Sequence, residues 1–260
     1  MKRESGEGFK VTAIVPAAGS GLRMKGKVPK QFLLLDGLPI LVHTLKALER
    51  APKIDEVILV APESQISFCQ IGIVDKYNLK KISKVIPGGE QRQDSVYEGL
   101  QAVSPDTDWV MVHDGVRPFV TLEMIESAIE TAKEAKDGAV VAIPMRDTPK
   151  EVSSDQITKT LDRQRLWLAQ TPQVFRRSLF LRAHEEARSH GIYGTDDAVL
   201  VEKLGGCVRI VLGSEENIKV TTPADLKLAE AIMATRRATG KISSKIKGQM
   251  AGHSPKKGSA

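Results

Sequence analysis

Short runs of valine, isoleucine and alanine alternate along the chain with stretches in which apolar residues return at helical spacing. Continuous apolar runs predict strands buried on both faces, and their alternation with amphipathic helices predicts a parallel sheet covered on two sides. The strands expected on this basis are Val11–Pro16, Glu56–Val60, Lys84–Ile86, Trp109–His113, Ala139–Ile143 and Val208–Leu212. Helices are expected over Pro39–Ala51, Gln91–Val103, Leu122–Ala135, Arg177–His190, Asp196–Leu204 and Pro223–Thr235. The first opens on a proline at a first-turn position and places Ile40, Leu41, Thr44, Leu45 and Leu48 along one side. The fold class is α/β, a Rossmann-like, mostly parallel sheet with helices on both faces.

One stretch breaks the rhythm. Met145 to Pro172 has no helical period and is too long for an ordinary connection in a compact domain. It reads as an arm at about 145–172, either a lid or an extension toward a second subunit. The 260 residues fit one domain, and no internal repeat divides them.

Composition refines this organisation. An apolar fraction of 41% with 27% charged residues describes a folded body, not a disordered chain. The formal charge of +6 suggests a nucleic-acid partner only until it is located: residues 236–260 hold seven positive charges and no acid, leaving the remainder at −1. The expectation is one body over residues 1–235 followed by a basic, disordered tail over 236–260, without a nucleic-acid-reading surface. Cys69 falls in a helical stretch and Cys207 in what reads as a buried strand. Neither has metal-ligand spacing, and this usage suits a reducing, cytoplasmic setting. No run approaches the length of a membrane span, so no membrane partner is expected.

The chemistry concentrates after the first strand, in Pro16-Ala17-Ala18-Gly19-Ser20-Gly21-Leu22-Arg23-Met24 and then Pro29-Lys30-Gln31. Small residues at the carboxyl end of a strand let backbone N–H groups approach a phosphate, and Arg23 and Lys30 add cations. Two familiar phosphate loops do not fit. A dinucleotide loop needs a third glycine where Met24 stands, and a P-loop needs a hydroxyl where Val28 stands and a helix where Pro29 prevents one. A glycine pair, an arginine two residues on and a Pro-Lys pair resemble instead the signature of nucleotidyltransferases.

Four further segments extend the pattern. Gly88-Gly89-Glu90-Gln91-Arg92-Gln93-Asp94-Ser95 follows a strand and opens a helix, and Val112-His113-Asp114-Gly115-Val116-Arg117-Pro118 ends another strand at the same edge. His113 reads as structural. Thr171-Pro172-Gln173 and Gly194-Thr195-Asp196-Asp197 are expected just before helices. No Ser-His-Asp set or catalytic carboxylate pair is evident. Together with Arg146-Asp147-Thr148, Leu166-Trp-x-Ala-Gln-Thr-Pro-Gln-x-Phe175 and Asn217-Ile-Lys-Val-Thr221, these segments closely resemble one family from about Val11 to Glu230. That family is the 2-C-methyl-D-erythritol 4-phosphate cytidylyltransferases of the non-mevalonate isoprenoid pathway.

The resemblance implies that Arg23 and Lys30 stabilise the transition state and that Arg163 and Lys219 position the acceptor phosphate. It implies that Ala17, Ala18, Gly19, Gly21, Gly89, Glu90 and Ser95 hold the cytidine nucleotide, Glu90 standing where some relatives have aspartate. Asp114, Arg117, Thr148, Thr171 and Thr195 would surround the acceptor alcohol. It further implies CTP and a polyol phosphate as substrates, Mg²⁺ held mainly by phosphates, and a homodimer whose arm brings Thr148 and Arg163 into the neighbouring site. Ribitol 5-phosphate is the alternative acceptor, and a non-catalytic nucleotide sensor the alternative class.

Overall fold

The computed structural model describes residues 8–19 and 28–251, with side chains to residue 239. In chain order the elements are β1 (Val11–Pro16), β2 (Leu34–Leu35), β3 (Leu38–Pro39), α1 (Ile40–Arg50), β4 (Glu56–Ala61), α2 (Ile66–Phe68), β5 (Ile82–Pro87), α3 (Arg92–Ala102), β6 (Trp109–Val112), α4 (Leu122–Ala135), β7 (Gly138–Pro144), β8 (Lys150–Ser153), β9 (Gln156–Thr160), β10 (Trp167–Arg176), α5 (Arg177–Ser189), α6 (Ala198–Lys203), β11 (Val208–Leu212) and α7 (Pro223–Ala251). Seven strands form one sheet in the order β11-β7-β10-β6-β1-β4-β5. All its pairings are parallel except those of β10, which runs antiparallel to β6 and β7.

Successive side chains of a strand point to opposite faces, and the core divides accordingly. Val11, Ala13 and Val15 of β1 join α1 and α4 in one apolar cluster. Ile14 points the other way and joins α3, α5 and α6 in a second. Gly99 allows α3 to lie against β1, because a Cβ there would stand 2.5 Å from Ile14 Cγ2. A third, smaller cluster packs the start of α7 against Leu35, Ile40 and Phe119.

The expected strands and helices all form, with ends moved by a residue or two, apart from α7. Three expectations are corrected. The arm is expected to run to Pro172, but Trp167–Arg176 is the central strand β10, so Thr171, Pro172 and Gln173 lie inside a strand and not before a helix. The protruding part is the hairpin of β8 and β9, turned at Ser154 and Asp155, both at positive φ, with every strand residue exposed. The boundary at 235 falls within a helix: α7 runs on to Ala251, and the chain meets no proline before Pro255. Arg236 pairs with Glu216 at 2.8 Å and lies over the Phe119 ring, and Arg237 pairs with Asp36, so both belong to the folded body. Residues 252–260 of the expected tail lie outside the described residues. Cys207, expected in a buried strand, is exposed immediately before the edge strand β11, while Cys69 is buried.

Gly99→Ala is expected to destabilise the protein by about 1–3 kcal/mol, because the methyl group meets a central strand. This outweighs the gain of about 1 kcal/mol that alanine brings to a helix. Urea unfolding of the two proteins checks the sign; an equally or more stable variant would show that α3 does not need this close approach.

Candidate active site

The chain passes from β1 to β4 and β5 on one side, then returns to β6 on the other, so the carboxyl end of β1 is a topological switch point. A cleft of about 330 Å³ opens there, walled by the segments that follow β1, β5 and β6. Ala17, Ala18 and Gly19 form one side, and Ala17 N–H is tied to Val60 O at 2.7 Å. Gly88 brings the opposite wall close: a Cβ there would stand 2.4 Å from Ala18 Cβ and 2.7 Å from Ser95 Oγ. Gly89, Glu90 and Ser95 line this wall, where α3 begins. The helix start is closed by Gln91 N–H donating to the Asp94 carboxylate at 3.1 Å.

Lys30 lines the same cleft, on a single helical turn, Lys30–Phe32. Its neighbour Gln31 is buried and donates from Nε2 to Ala17 O at 2.7 Å, fixing the Pro-Lys-Gln segment to the loop after β1. Lys219 lines the cleft from another side. Around it, Arg117 Nη1 donates to Asn217 O at 2.7 Å and Val220 N–H to Val116 O at 2.9 Å, so the 217–220 segment is held against the turn after β6.

At the floor is Asp114, only 5% exposed in its side chain. Arg92 Nε donates to its Oδ1 at 2.8 Å; Lys219 Nζ stands 2.8 Å and Arg117 Nε 3.5 Å from its Oδ2. Burial alone would raise this carboxyl, but the charges of Arg92, Lys219 and Arg117 hold it well below the usual carboxylate range. Arg92 also reaches Asp197 Oδ2 at 2.8 Å with Nη2, spanning two carboxylates. Its guanidinium is driven further into the charged form, the attraction of Asp197 and Asp114 exceeding the opposing effect of burial.

Behind the floor, His113 Nε2 faces Arg117 O at 3.2 Å and Nδ1 faces Thr171 Oγ1 at 3.0 Å. A carbonyl only accepts, so Nε2 holds the proton of the neutral ring and Thr171 donates to Nδ1. The Thr171 hydroxyl accepts in turn from Asp114 N–H at 3.1 Å. Burial pushes His113 down to about 4, consistent with its expected structural role.

The structure therefore brings Ala17, Ala18, Gly19, Lys30, Gly89, Glu90, Ser95, Asp114 and Lys219 to one cleft. Arg117 packs behind Asp114, and Thr171 is buried with its hydroxyl engaged inside the protein, so neither lines it. Thr195 lies exposed before α6, and Thr148 and Arg163 lie exposed at the base of the hairpin; none of the three lines this chain's cleft. Arg163 Nη1 donates to Arg146 O at 2.8 Å. Gly21 and Arg23 lie outside the described residues.

Arg92, Asp197 and Asn217 have no role in the sequence reading. A signal for Arg92 existed, because an arginine at the first position of a helix opposes the helix dipole unless carboxylates offset it. Asn217 joins the strand to the lysine segment, donating from Nδ2 to Gln170 Oε1 at 3.1 Å and to Thr171 O at 2.9 Å.

A profile of the 2-C-methyl-D-erythritol 4-phosphate cytidylyltransferase family matches residues 11–235. The chain belongs to this family. It is 50% identical over 234 residues to the 2-C-methyl-D-erythritol 4-phosphate cytidylyltransferase of Syntrophus aciditrophicus (strain SB), covering 90% of this chain and 99% of that one. The corresponding protein of Geotalea uraniireducens (strain Rf4) is 47% identical over 227 residues, covering 86% and 97%. Among solved structures, 4-diphosphocytidyl-2C-methyl-D-erythritol synthase from Anaerococcus prevotii superposes with a TM-score of 0.78 at 31% identity, covering 87% of this chain and 96% of that one. The family enzyme from Thermus thermophilus superposes with a TM-score of 0.71 at 33% identity, covering 86% and 98%.

The two buried histidines of the structure set an acid limit on stability. His184, packed between Phe180 and Tyr97, is pushed by burial down to about 4, as is His113. Unfolded chains take up these protons near pH 6.5, so each stabilising contribution, on the order of 3 kcal/mol, is complete above that pH. It is lost as pH falls from 6.5 to about 4. Urea midpoints measured at intervals from pH 7 to 4 should fall throughout this window, and His184→Leu should flatten the profile by about half. A profile that stays level down to pH 4 would contradict the neutral assignment of both rings.

Proposed function

We propose that the protein transfers the cytidylyl group of CTP to 2-C-methyl-D-erythritol 4-phosphate, giving 4-diphosphocytidyl-2-C-methyl-D-erythritol and pyrophosphate. The observation that carries this reading is a family match spanning the body of the chain, joined to a cleft in which Lys30, Lys219 and the small-residue segment 17–19 line one space. Ribitol 5-phosphate as acceptor is not favoured, since the matching family is defined by the methylerythritol substrate.

The cytidine nucleotide lies along Ala17, Ala18, Gly19, Gly89, Glu90 and Ser95, with Gly21 completing the loop. A non-bridging oxygen of the acceptor phosphate attacks the α-phosphorus in line, a new P–O bond forms, and the bond to the β-phosphate breaks as pyrophosphate departs. A phosphate monoester is largely dianionic near neutral pH, so its oxygen needs no general base. The obstacle is the approach of two polyanions and the charge that builds on the leaving group. Lys30 and Arg23 stabilise that charge, and Lys219 with Arg163 orients the incoming phosphate. Asp114 shapes the acceptor end, with Arg117 packed behind it and Thr171 fixing its backbone.

Mg²⁺, if bound with the triphosphate, would supply further charge neutralisation. Among the described residues no group of three or more His, Cys, Asp or Glu stands together, and Asp114 is already neutralised by cations. This donor set suits a metal brought in on the triphosphate and completed by water.

Two features support a homodimer with shared sites. An isolated two-stranded hairpin is marginal in water, yet β8 and β9 pair Val152 with Ile157, both more than half exposed. Thr148 and Arg163, on the same protrusion, do not line this chain's own cleft. Among the described residues no helix is long and apolar enough to cross a membrane. The near-neutral body, and the engagement of Arg236 and Arg237 within the fold, support a small-molecule and not a nucleic-acid partner.

Lys30→Ala is expected to lower kcat by about 10²–10³ with far less effect on CTP binding; near-normal turnover, followed by pyrophosphate release, would remove Lys30 from the mechanism. Arg163→Ala should chiefly raise the KM for the acceptor. Mixed dimers of Arg163→Ala and Lys30→Ala subunits should regain part of the activity, because one of the two sites then holds both intact groups. A verified mixed dimer with no recovery would exclude site sharing.

A further inference from the structure

The Asp114 cluster holds more cation than its carboxylate can bind. Oδ1 is taken by Arg92, whereas Oδ2 is approached by both Lys219 at 2.8 Å and Arg117 Nε at 3.5 Å. Arg117 Nε is buried and has no hydrogen-bond partner among the described residues. The two carboxylates of the cluster, Asp114 and Asp197, face three cations, leaving one positive charge in excess at the floor of the cleft. Lys219 is the cation free to leave: like Arg92 it lines the cleft with about a third of its side chain exposed, but it is paired with Asp114 alone, whereas Arg92 holds two carboxylates.

Arg92 differs from the other two in being clamped from both ends. Nε bonds Asp114 and Nη2 bonds Asp197, which is 1% exposed beside the start of α6. The guanidinium cannot follow a ligand without stranding a buried carboxylate. Its charge is therefore fixed on Oδ1, where it draws down the attraction that Asp114 exerts on Lys219.

We propose that Arg92 is a positioning residue that sets how readily Lys219 is transferred from Asp114 to the anionic acceptor. The inference rests on the reading of Lys219 as a phosphate ligand. With Arg92 in place, Asp114 holds Lys219 at the cleft loosely enough for an incoming phosphate oxygen to take it. Without Arg92, the whole carboxylate charge falls on Lys219 and Arg117, and the acceptor must compete with it. The triphosphate end, assigned to Ala17, Ala18, Gly19, Lys30, Gly89, Glu90 and Ser95, does not draw on the Arg92 side chain, which is engaged by Asp114 and Asp197 although it borders the same cleft.

Arg92→Gln alone would leave Asp197 buried and unpaired and so would confuse misfolding with function. The test therefore uses Asp197→Asn as the reference chain and compares with it R92Q/D197N and R92K/D197N. With Asp197 neutral only one carboxylate remains for residue 92, so a single lysine nitrogen can replace the guanidinium there. Pyrophosphate release is measured against CTP and against methylerythritol phosphate, with thermal melts of each chain. R92Q/D197N should raise the acceptor KM about tenfold or more over D197N, with the CTP KM and the saturated kcat within about threefold. R92K/D197N should return the acceptor KM to within about threefold of the reference, a rescue that a purely structural role would not show. An unchanged acceptor KM in R92Q/D197N, a parallel rise in both KM values, or no rescue by lysine would each overturn the assignment. If the wild-type protein releases no pyrophosphate from this substrate pair, the reading of the function falls first, and the assignment with it.

Discussion

The structure is organised around a carboxylate taken out of water. An isolated buried charge is prohibitively costly, so Asp114 requires cations, and the fold delivers three from separate segments: the start of α3, the turn after β6 and the irregular run before α7. A floor of this kind serves an anion-binding cleft in two ways. It fixes the position of positive charge before any ligand arrives, and it leaves part of that charge unspent, as preorganised stabilisation of phosphates demands.

The arrangement depends on a second, neutral layer beneath it. His113, kept uncharged by burial, links Arg117 O to Thr171, and Thr171 holds the Asp114 backbone. Gln170, Asn217 and Ser214 continue this layer, with Gln170 Nε2 donating to Ser214 O at 2.9 Å. Three residues of β10, Gln170 to Pro172, bulge opposite the single residue Val141, and there the Gln170 side chain and the Thr171 carbonyl meet Ser214 and Asn217. A sheet position that would ordinarily hold aliphatic residues thus becomes the mount for Lys219.

That exception explains what the sequence left unread. The parallel strands announce themselves because burial on both faces demands unbroken apolar runs, as in Val11–Pro16 and Glu56–Ala61. Strand β10 lacks such a run: Gln170, Thr171 and Gln173 are buried but polar, satisfied by hydrogen bonds that no local pattern reveals. The cleft was legible at the loops that follow strands, since Lys30, Gly89, Ser95, Asp114 and Lys219 all meet there. The partners of Arg92 were not: its place at the start of a helix calls for carboxylates, but a pairing across 105 positions leaves no mark that points to Asp197. Composition also misplaces the end of α7, whereas Arg236 and Arg237 find carboxylates on distant loops.

The span of those pairings bears on when the protein acquires its chemistry. Arg92 reaches 22 residues ahead to Asp114 and 105 ahead to Asp197, and the lysine that completes the floor lies only a few residues before the final helix. During synthesis, then, Arg92 and Arg117 are made close to Asp114, whereas Lys219, which gives the floor its excess positive charge, is added about a hundred residues later. The excess charge of the cleft floor is therefore complete only when the segment just before the final helix has docked.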